Sequence, residues 1–180
     1  GEVIGYDPML PDTPEVRTEL TDLGVRRTEL AEVRSAADVL SLHLPLTPQT
    51  ERMVDAEFLA TMPAGSVLVN VSRGGLVDHA ALAEALDTGH LAGAALDVLD
   101  QEPPSADHPM LGREDVVLTP HIAYFSARTE IEYVRIQAQN SATRLATGRP
   151  VSPRSRPAST GRSSQHRQRG ERRQHRQLTP

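Results

Sequence analysis

The sequence predicts an α/β fold built as a doubly wound parallel sheet. From Val3 to about Thr147, short apolar runs alternate with helical patterns, as strands do when crossover helices join them. The run Ser66–Val71 is apolar at nearly every position, which marks a strand covered on both faces. Three polar residues suited to chemistry, Arg73, Glu102 and His121, each stand beside a segment that reads as a buried strand.

The elements follow in order. Glu2–Tyr6 reads as a strand, Leu30–Ala37 as a short helix, and Asp38–Leu42 as a strand that runs into Pro45 and a polar turn through Thr50. Asp55–Met62 is a short helix closed by Pro63-Ala64-Gly65, and Ser66–Val71 is the buried strand. Asp78 caps the next helix, where Leu82, Ala85 and Leu86 share one face and Gly89 supplies the stop. Ala92–Val98 is a further strand, followed by a Pro-rich loop and the last strand, Val116–Thr119. Ser126 can cap a final helix to about Thr147, with Gly148 and Pro150 as stop signals.

Composition narrows the function classes. At 180 residues the chain is long enough for one domain with a real core. It holds no apolar run long enough to cross a bilayer and no signal peptide at its start, so a cytoplasmic place is expected. With no Cys, disulfides, thiolate metal sites and Cys nucleophiles are excluded. No metal-ligand spacing such as His-x-x-x-His occurs, so no metal is expected. The chain opens on Gly1, which suggests a fragment or a processed product.

All 19 basic residues are Arg, a bias that points to GC-rich coding DNA. Residues 1–150 carry 11 Arg against 23 acids, a net charge of −12. Residues 151–180 carry 8 Arg against one acid, Glu171, a net charge of +7. This last stretch is Arg, Ser, Gln, His and Pro, repeats Gln-His-Arg-Gln at 165 and 174, and lacks the apolar residues for a core. It is expected to be a disordered basic tail. It has no aromatics for base stacking, so no nucleic-acid partner is expected, and the stretch reads as an out-of-frame or read-through extension of GC-rich DNA.

An arginine can grip a carboxylate with two parallel bonds, and a histidine exchanges a proton near neutral pH. A glutamate beside that histidine favours its protonated form. Arg73, Glu102 and His121 can therefore interconvert a 2-keto and a 2-hydroxy acid if a hydride carrier lies alongside. For each, a plainer role stays open: a surface ion pair for Arg73, a loop charge for Glu102, a structural residue after Pro120 for His121. His79, His90 and His108 show no partner pattern and read as surface or loop residues.

Five stretches, in this order, carry a resemblance. They are Val3-Ile4-Gly5-Tyr6-Asp7-Pro8, Leu42-His43-Leu44-Pro45-Leu46-Thr47, Asn70-Val71-Ser72-Arg73-Gly74-Gly75-Leu76-Val77-Asp78, Ala94-Ala95-Leu96-Asp97-Val98 leading to Glu102-Pro103-Pro104, and Thr119-Pro120-His121-Ile122-Ala123. Over residues 1 to about 153 the chain resembles the NAD-binding domain of the D-isomer-specific 2-hydroxyacid dehydrogenases, in the branch of phosphoglycerate dehydrogenase and the C-terminal-binding-protein corepressors. The resemblance implies a partial Rossmann-type domain over residues 1–150, an NAD-dependent oxidoreductase acting on CH–OH donors, and a homodimer. It implies Arg73 as the substrate clamp, His121 as the acid–base and Glu102 as the residue that orients it. It places Asp7 at the adenosine ribose, Asp97 at the nicotinamide carboxamide, and Leu44, Pro45, Val71, Ser72 and Ala123 near the cofactor beside Arg73 and His121. His43 lies near the cofactor by resemblance only. From the residues alone, Asp7 serves equally well as a turn residue before Pro8, and Asp97 as a strand-end cap.

None of the 12 glycines forms the Gly-x-Gly-x-x-Gly loop that cradles a pyrophosphate, and the first strand of such a domain is also missing. The chain by itself is therefore expected to bind NAD weakly and to turn over nothing measurable. Two alternatives remain. Tyr124-Phe125, in place of the commoner small residues, suggests an NADH-sensing scaffold like the corepressors. The missing front and the odd tail suggest a gene remnant.

Overall fold

Alternating strand and helix signals become six strands and five α-helices among residues 1–148, the span this computed structural model describes. In chain order they are β1 (Val3–Gly5), α1 (Pro14–Asp22), β2 (Val25–Arg27), α2 (Leu30–Ala36), β3 (Val39–Leu42), α3 (Ala56–Thr61), β4 (Ser66–Asn70), α4 (His79–Asp87), β5 (Leu91–Leu96), β6 (Val116–Leu118) and α5 (Ala127–Thr147). Two compact units emerge, Gly1–Phe125 and a second that begins at Ser126. The basic stretch 151–180 lies outside the described residues.

Every strand pair is parallel: β1 with β2 in one sheet, and β3-β4-β5-β6 in the other. Parallel neighbours need crossovers, and α3 and α4 supply those on either side of β4. Capping explains where the helices begin. The Asp55 carboxylate accepts the Phe58 N–H at 2.9 Å, and Asp78 accepts those of Ala80 and Ala81. Each cap contributes about 1 kcal/mol. Ser126 caps α5 as expected, and Gly148 ends it at φ +73°.

The core lies between the four-stranded sheet and its helices. Leu40 and Leu42 of β3, Leu68 of β4 and Leu96 of β5 pack with Phe58 and Leu59 of α3 and Leu82 and Leu86 of α4. β4 is less uniformly covered than its composition suggests, because Val67 and Val69 remain half-buried while Ser66, Leu68 and Asn70 are buried.

Sequence reading missed α1 and β2. No residue of α1 is buried, so its apolar periodicity is weak; its start signal, Thr13 as N-cap with Pro14 in the first turn, was nevertheless present. β2 is three residues long and two of them are Arg. A 3-10 turn at Gly74–Leu76 was also unforeseen. In the second unit α5 has no buried residue, and Ile131, Val134 and Leu145 stand exposed on it.

Candidate active site

The site is built by loops leaving the carboxyl ends of β4, β5 and β6, the edge at which parallel sheets bind ligands. β4 ends in Asn70, whose fully buried amide organises the next turn. Its Nδ2 donates to the Arg73 carbonyl at 2.9 Å and its Oδ1 accepts the Ser72 N–H at 3.0 Å. The Ser72 hydroxyl donates to the Leu42 carbonyl at 2.8 Å and ties this turn to the end of β3. Arg73 is exposed, with Nη1 donating to the Ser72 carbonyl at 2.6 Å. A guanidinium has five N–H donors, so most of the fork is left for a ligand.

The loop after β5 carries Asp97 and Glu102. The Glu102 carboxylate is held at both oxygens: Oε1 accepts the Leu99 N–H at 2.9 Å, and Oε2 lies 2.8 Å from His121 Nδ1. The bond to His121, then that from Leu99, holds this carboxyl below the usual range, so it is ionised at neutral pH. An ionised carboxylate can only accept, which places the ring hydrogen on Nδ1 and leaves Nε2 for a substrate.

His121 sits at φ +56°, a left-handed conformation that costs a non-glycine residue about 1–2 kcal/mol. Asp97, 4% exposed, holds it there. Its Oδ1 accepts the Thr119 hydroxyl and the Ile122 N–H, and its Oδ2 accepts the Ala123 N–H at 2.9 Å. Burial alone would raise this carboxyl; the three donors outweigh it and hold it low.

Arg73, Glu102 and His121, distant in sequence, line one cleft of about 430 Å³ together with Gly74, Gly75 and Asp100. Gly74 makes the cleft possible. A Cβ there would stand 1.9 Å from the Leu99 carbonyl carbon and 2.4 Å from the Asp100 nitrogen, so the Leu99–Asp100 peptide rests directly on this glycine.

Of the residues expected at a cofactor, Leu44, Pro45, Val71 and Ser72 follow β3 and β4 on the same edge, and Ala123 follows His121. Val71 is 39% exposed. Pro45 and Ala123 are exposed as well, whereas Leu44 and Ser72 are half-buried, and exposed apolar groups of this kind suit the nicotinamide end of a dinucleotide. Asp7 is used locally, its Oδ1 accepting the Met9 N–H at 2.8 Å in the turn expected before Pro8. His43 is exposed and pairs with the Ser41 hydroxyl at 2.8 Å.

One histidine reading needs correction: His79 is neither a surface nor a loop residue but lies in α4, 4% exposed beneath the Asp100 loop. His108 is a loop residue as expected, but it is 7% exposed and pairs with Asp100. His90 is half-buried, its Nε2 3.0 Å from the Leu59 carbonyl. Asn70 also escaped notice, although a lone strong hydrogen-bonding residue ending a buried strand was a usable signal.

Comparison with known proteins shows the family. The family profile described as D-isomer specific 2-hydroxyacid dehydrogenase, NAD binding domain, matches residues 1–123. An (S)-sulfolactate dehydrogenase from Chromohalobacter salexigens is 45% identical over 124 residues, 68% of this chain and 38% of its own length. A D-3-phosphoglycerate dehydrogenase from Methanocaldococcus jannaschii is 41% identical over 121 residues, 66% of this chain and 22% of its own length. Among solved structures, the NAD-complexed D-isomer specific 2-hydroxyacid dehydrogenase of Lactobacillus delbrueckii ssp. bulgaricus superposes with a TM-score of 0.74 at 33% identity, covering 84% of this chain and 48% of that one. The chain thus spans less than half the length of each of these relatives. With the profile running through every loop that builds the cleft, the chain belongs to the D-isomer-specific 2-hydroxyacid dehydrogenase family, of which it carries NAD-binding-domain sequence.

Proposed function

We propose that the intact protein is an NAD-dependent oxidoreductase that interconverts a small 2-hydroxy acid and its 2-keto acid. The observation that carries this reading is the meeting of Arg73 with a bonded Glu102–His121 pair in one cleft. Arg73 grips the substrate carboxylate with its free N–H donors. That grip turns the neighbouring carbon and its oxygen toward His121. Nε2 of His121 takes the hydroxyl proton in oxidation and returns it in reduction. Glu102 keeps Nδ1 hydrogenated, so the proton exchanged is always the one at Nε2. When bound, NAD supplies the hydride acceptor or donor.

Leu44, Pro45, Val71, Ser72 and Ala123 would hold the nicotinamide end, and Asp7 the adenosine ribose. Asp97 keeps one lone pair on Oδ2 for the carboxamide, beside its part in holding His121. No glycine-rich pyrophosphate cradle occurs in the sequence. A homodimer and a cytoplasmic place accompany this reading; among the described residues no helix is long and apolar enough to cross a membrane. The scaffold alternative rests on Tyr124 and Phe125, which are 67% and 62% exposed with ring centroids 6.4 Å apart. The assembled acid–base pair favours the enzyme.

A chimera tests the proposal. Residues 1–123 replace the matching segment of the Chromohalobacter relative, and turnover is followed by NADH absorbance. The chimera is expected to turn over, and His121→Asn to lower kcat by roughly 10²–10⁴-fold. A folded chimera whose rate does not respond to His121→Asn would overturn the reading.

A further inference from the structure

We propose that His108 is a positioning residue for the acid–base pair, acting through Asp100; this rests on the role given above to Glu102 and His121. The segment Asp97–Pro104 lies outside the paired strands, yet Glu102 on it must meet His121 within a hydrogen bond. Something has to fix its height over the Gly74 turn. Val98 is buried and Leu99 packs against the core, and beside them Asp100 adds a polar tie to buried partners. Its Oδ1 accepts from His108 Nε2 at 2.9 Å and lies 3.2 Å from His79 Nδ1. The histidine side chains are 5% and 3% exposed, whereas the Asp100 side chain is 45% exposed. The fixed end of this link is therefore the histidine pair, and the end it restrains is the loop.

The three residues also have the composition of a cation site, since their ligand atoms lie within 4.8 Å of one another. Hydrogen-bond direction argues against that use. The Met110 N–H points at His108 Nδ1 at 3.2 Å, and a backbone N–H can only donate. His108 Nδ1 must carry a lone pair, so the hydrogen of the neutral ring sits on Nε2 and is given to Asp100. A cation on Nε2 would push that hydrogen to Nδ1, against the Met110 N–H. The arrangement is an anchor built from a backbone donor, an imidazole and a carboxylate.

His79 completes the anchor as a wall. Its ring meets that of His108 edge-on, centroids 5.3 Å apart at 65°. Its Nδ1 is close to Asp100, but neither ring nitrogen has a hydrogen bond of good geometry. Burial lowers its pKa against the pull of Asp100, so the wall is neutral at physiological pH. From the anchor the restraint passes along the Leu99–Asp100 peptide, which rests on Gly74, to the Leu99 N–H that holds Glu102 Oε1. The loop thus carries two histidine–carboxylate pairs. The buried one, Asp100–His108, sets the place of the exposed one, Glu102–His121.

The test follows the Glu102 side-chain carboxyl and the Leu99 amide by NMR through an acid titration of this chain. In the wild type, Glu102 titrates below the usual carboxylate range and the Leu99 amide shift follows it. His108→Leu is expected to raise the Glu102 midpoint toward its ordinary value and to uncouple Leu99. His108→Gln, which keeps an N–H donor near the Nε2 position, is expected to restore both. Should His108→Leu lose the core amides, Asp100→Ala and Asp100→Asn replace it. They remove the same charge, but only Asn retains an oxygen for His108, so Glu102 should titrate higher in the Ala variant. A depressed Glu102 that ignores these changes overturns the anchor alone. A Glu102 that is not depressed in the wild type overturns the site reading itself. Loss of the His79 and His108 ring signals on adding zinc ions, with retention of the fold, overturns the anchor in favour of a cation site.

Discussion

Gly74→Ala should separate the two halves of the site. The added Cβ would stand 1.9 Å from the Leu99 carbonyl carbon and 2.0 Å from its oxygen, where real Cβ atoms keep at least 3.0 Å. The Leu99–Asp100 peptide must therefore retreat by at least about 1 Å, and no flexible side chain is available to yield in its place. Overpacking of this kind costs about 1–3 kcal/mol. Gly74 does not occupy the left-handed region, so the whole cost is steric. Gly112→Ala is the matched control: at φ +71° with open space around it, the new methyl brings only the left-handed penalty, about 1 kcal/mol. Urea unfolding of the three chains reads the stability difference, and the Leu99 and Asp100 amide shifts read the displacement. In the active chimera, a misplacement near 1 Å should cost on the order of 10²-fold in rate. A Gly74→Ala chain as stable as the wild type, with both amides unmoved, would refute the claim that this peptide rests on the glycine.

Asp97→Ala removes the acceptor of three donors around His121, and is expected to cost about 1–3 kcal/mol and to break the Glu102–His121 bond; an unchanged His121 ring spectrum would count against it. Asn70→Ala removes the acceptor of the Ser72 N–H and one of the two donors to the Arg73 carbonyl, which keeps the Leu76 N–H, and should lower stability by about 1–2 kcal/mol in urea unfolding. Stability should fall in two stages on acidification. Burial first of all lowers the folded pKa of His79, so the unfolded chain takes up the proton first and stability declines as pH drops below about 6.5. Asp97, Asp100 and Glu102 are depressed carboxyls, whose contribution is present above about pH 4 and lost as pH falls through their folded values. Urea midpoints from pH 8 to pH 3 should show both stages, with His79→Leu abolishing the upper one and, because His79 also helps to hold Asp100 low, weakening the lower one.

The parallel sheet was legible because β3, β4, β5 and β6 are apolar runs bounded by turn residues, and the helices because Asp55, Asp78 and Ser126 announce their first turns. α1 and β2 were not, since a helix with no buried residue and a three-residue strand carrying two Arg leave little periodicity. Arg73, Glu102 and His121 could be named from residue type and place, but that they meet came from the family resemblance and not from spacing. Their supports could not be named. The left-handed backbone at His121, the closing of Asp97 onto the 119–123 loop, and the burial of His79 and His108 are tertiary facts. They depend on which loop folds over which, and no local pattern encodes that.

The most direct test of the central claim is a titration of the chain with oxamate, a stable 2-oxo carboxylate, followed on the His121 ring and the Gly74 and Gly75 amides. If Arg73 and the Glu102–His121 pair face one ligand, all three sets of signals move with a single saturating midpoint in the wild type and stay still in Arg73→Gln. Wild-type signals that do not move, or that move equally in Arg73→Gln, would contradict it.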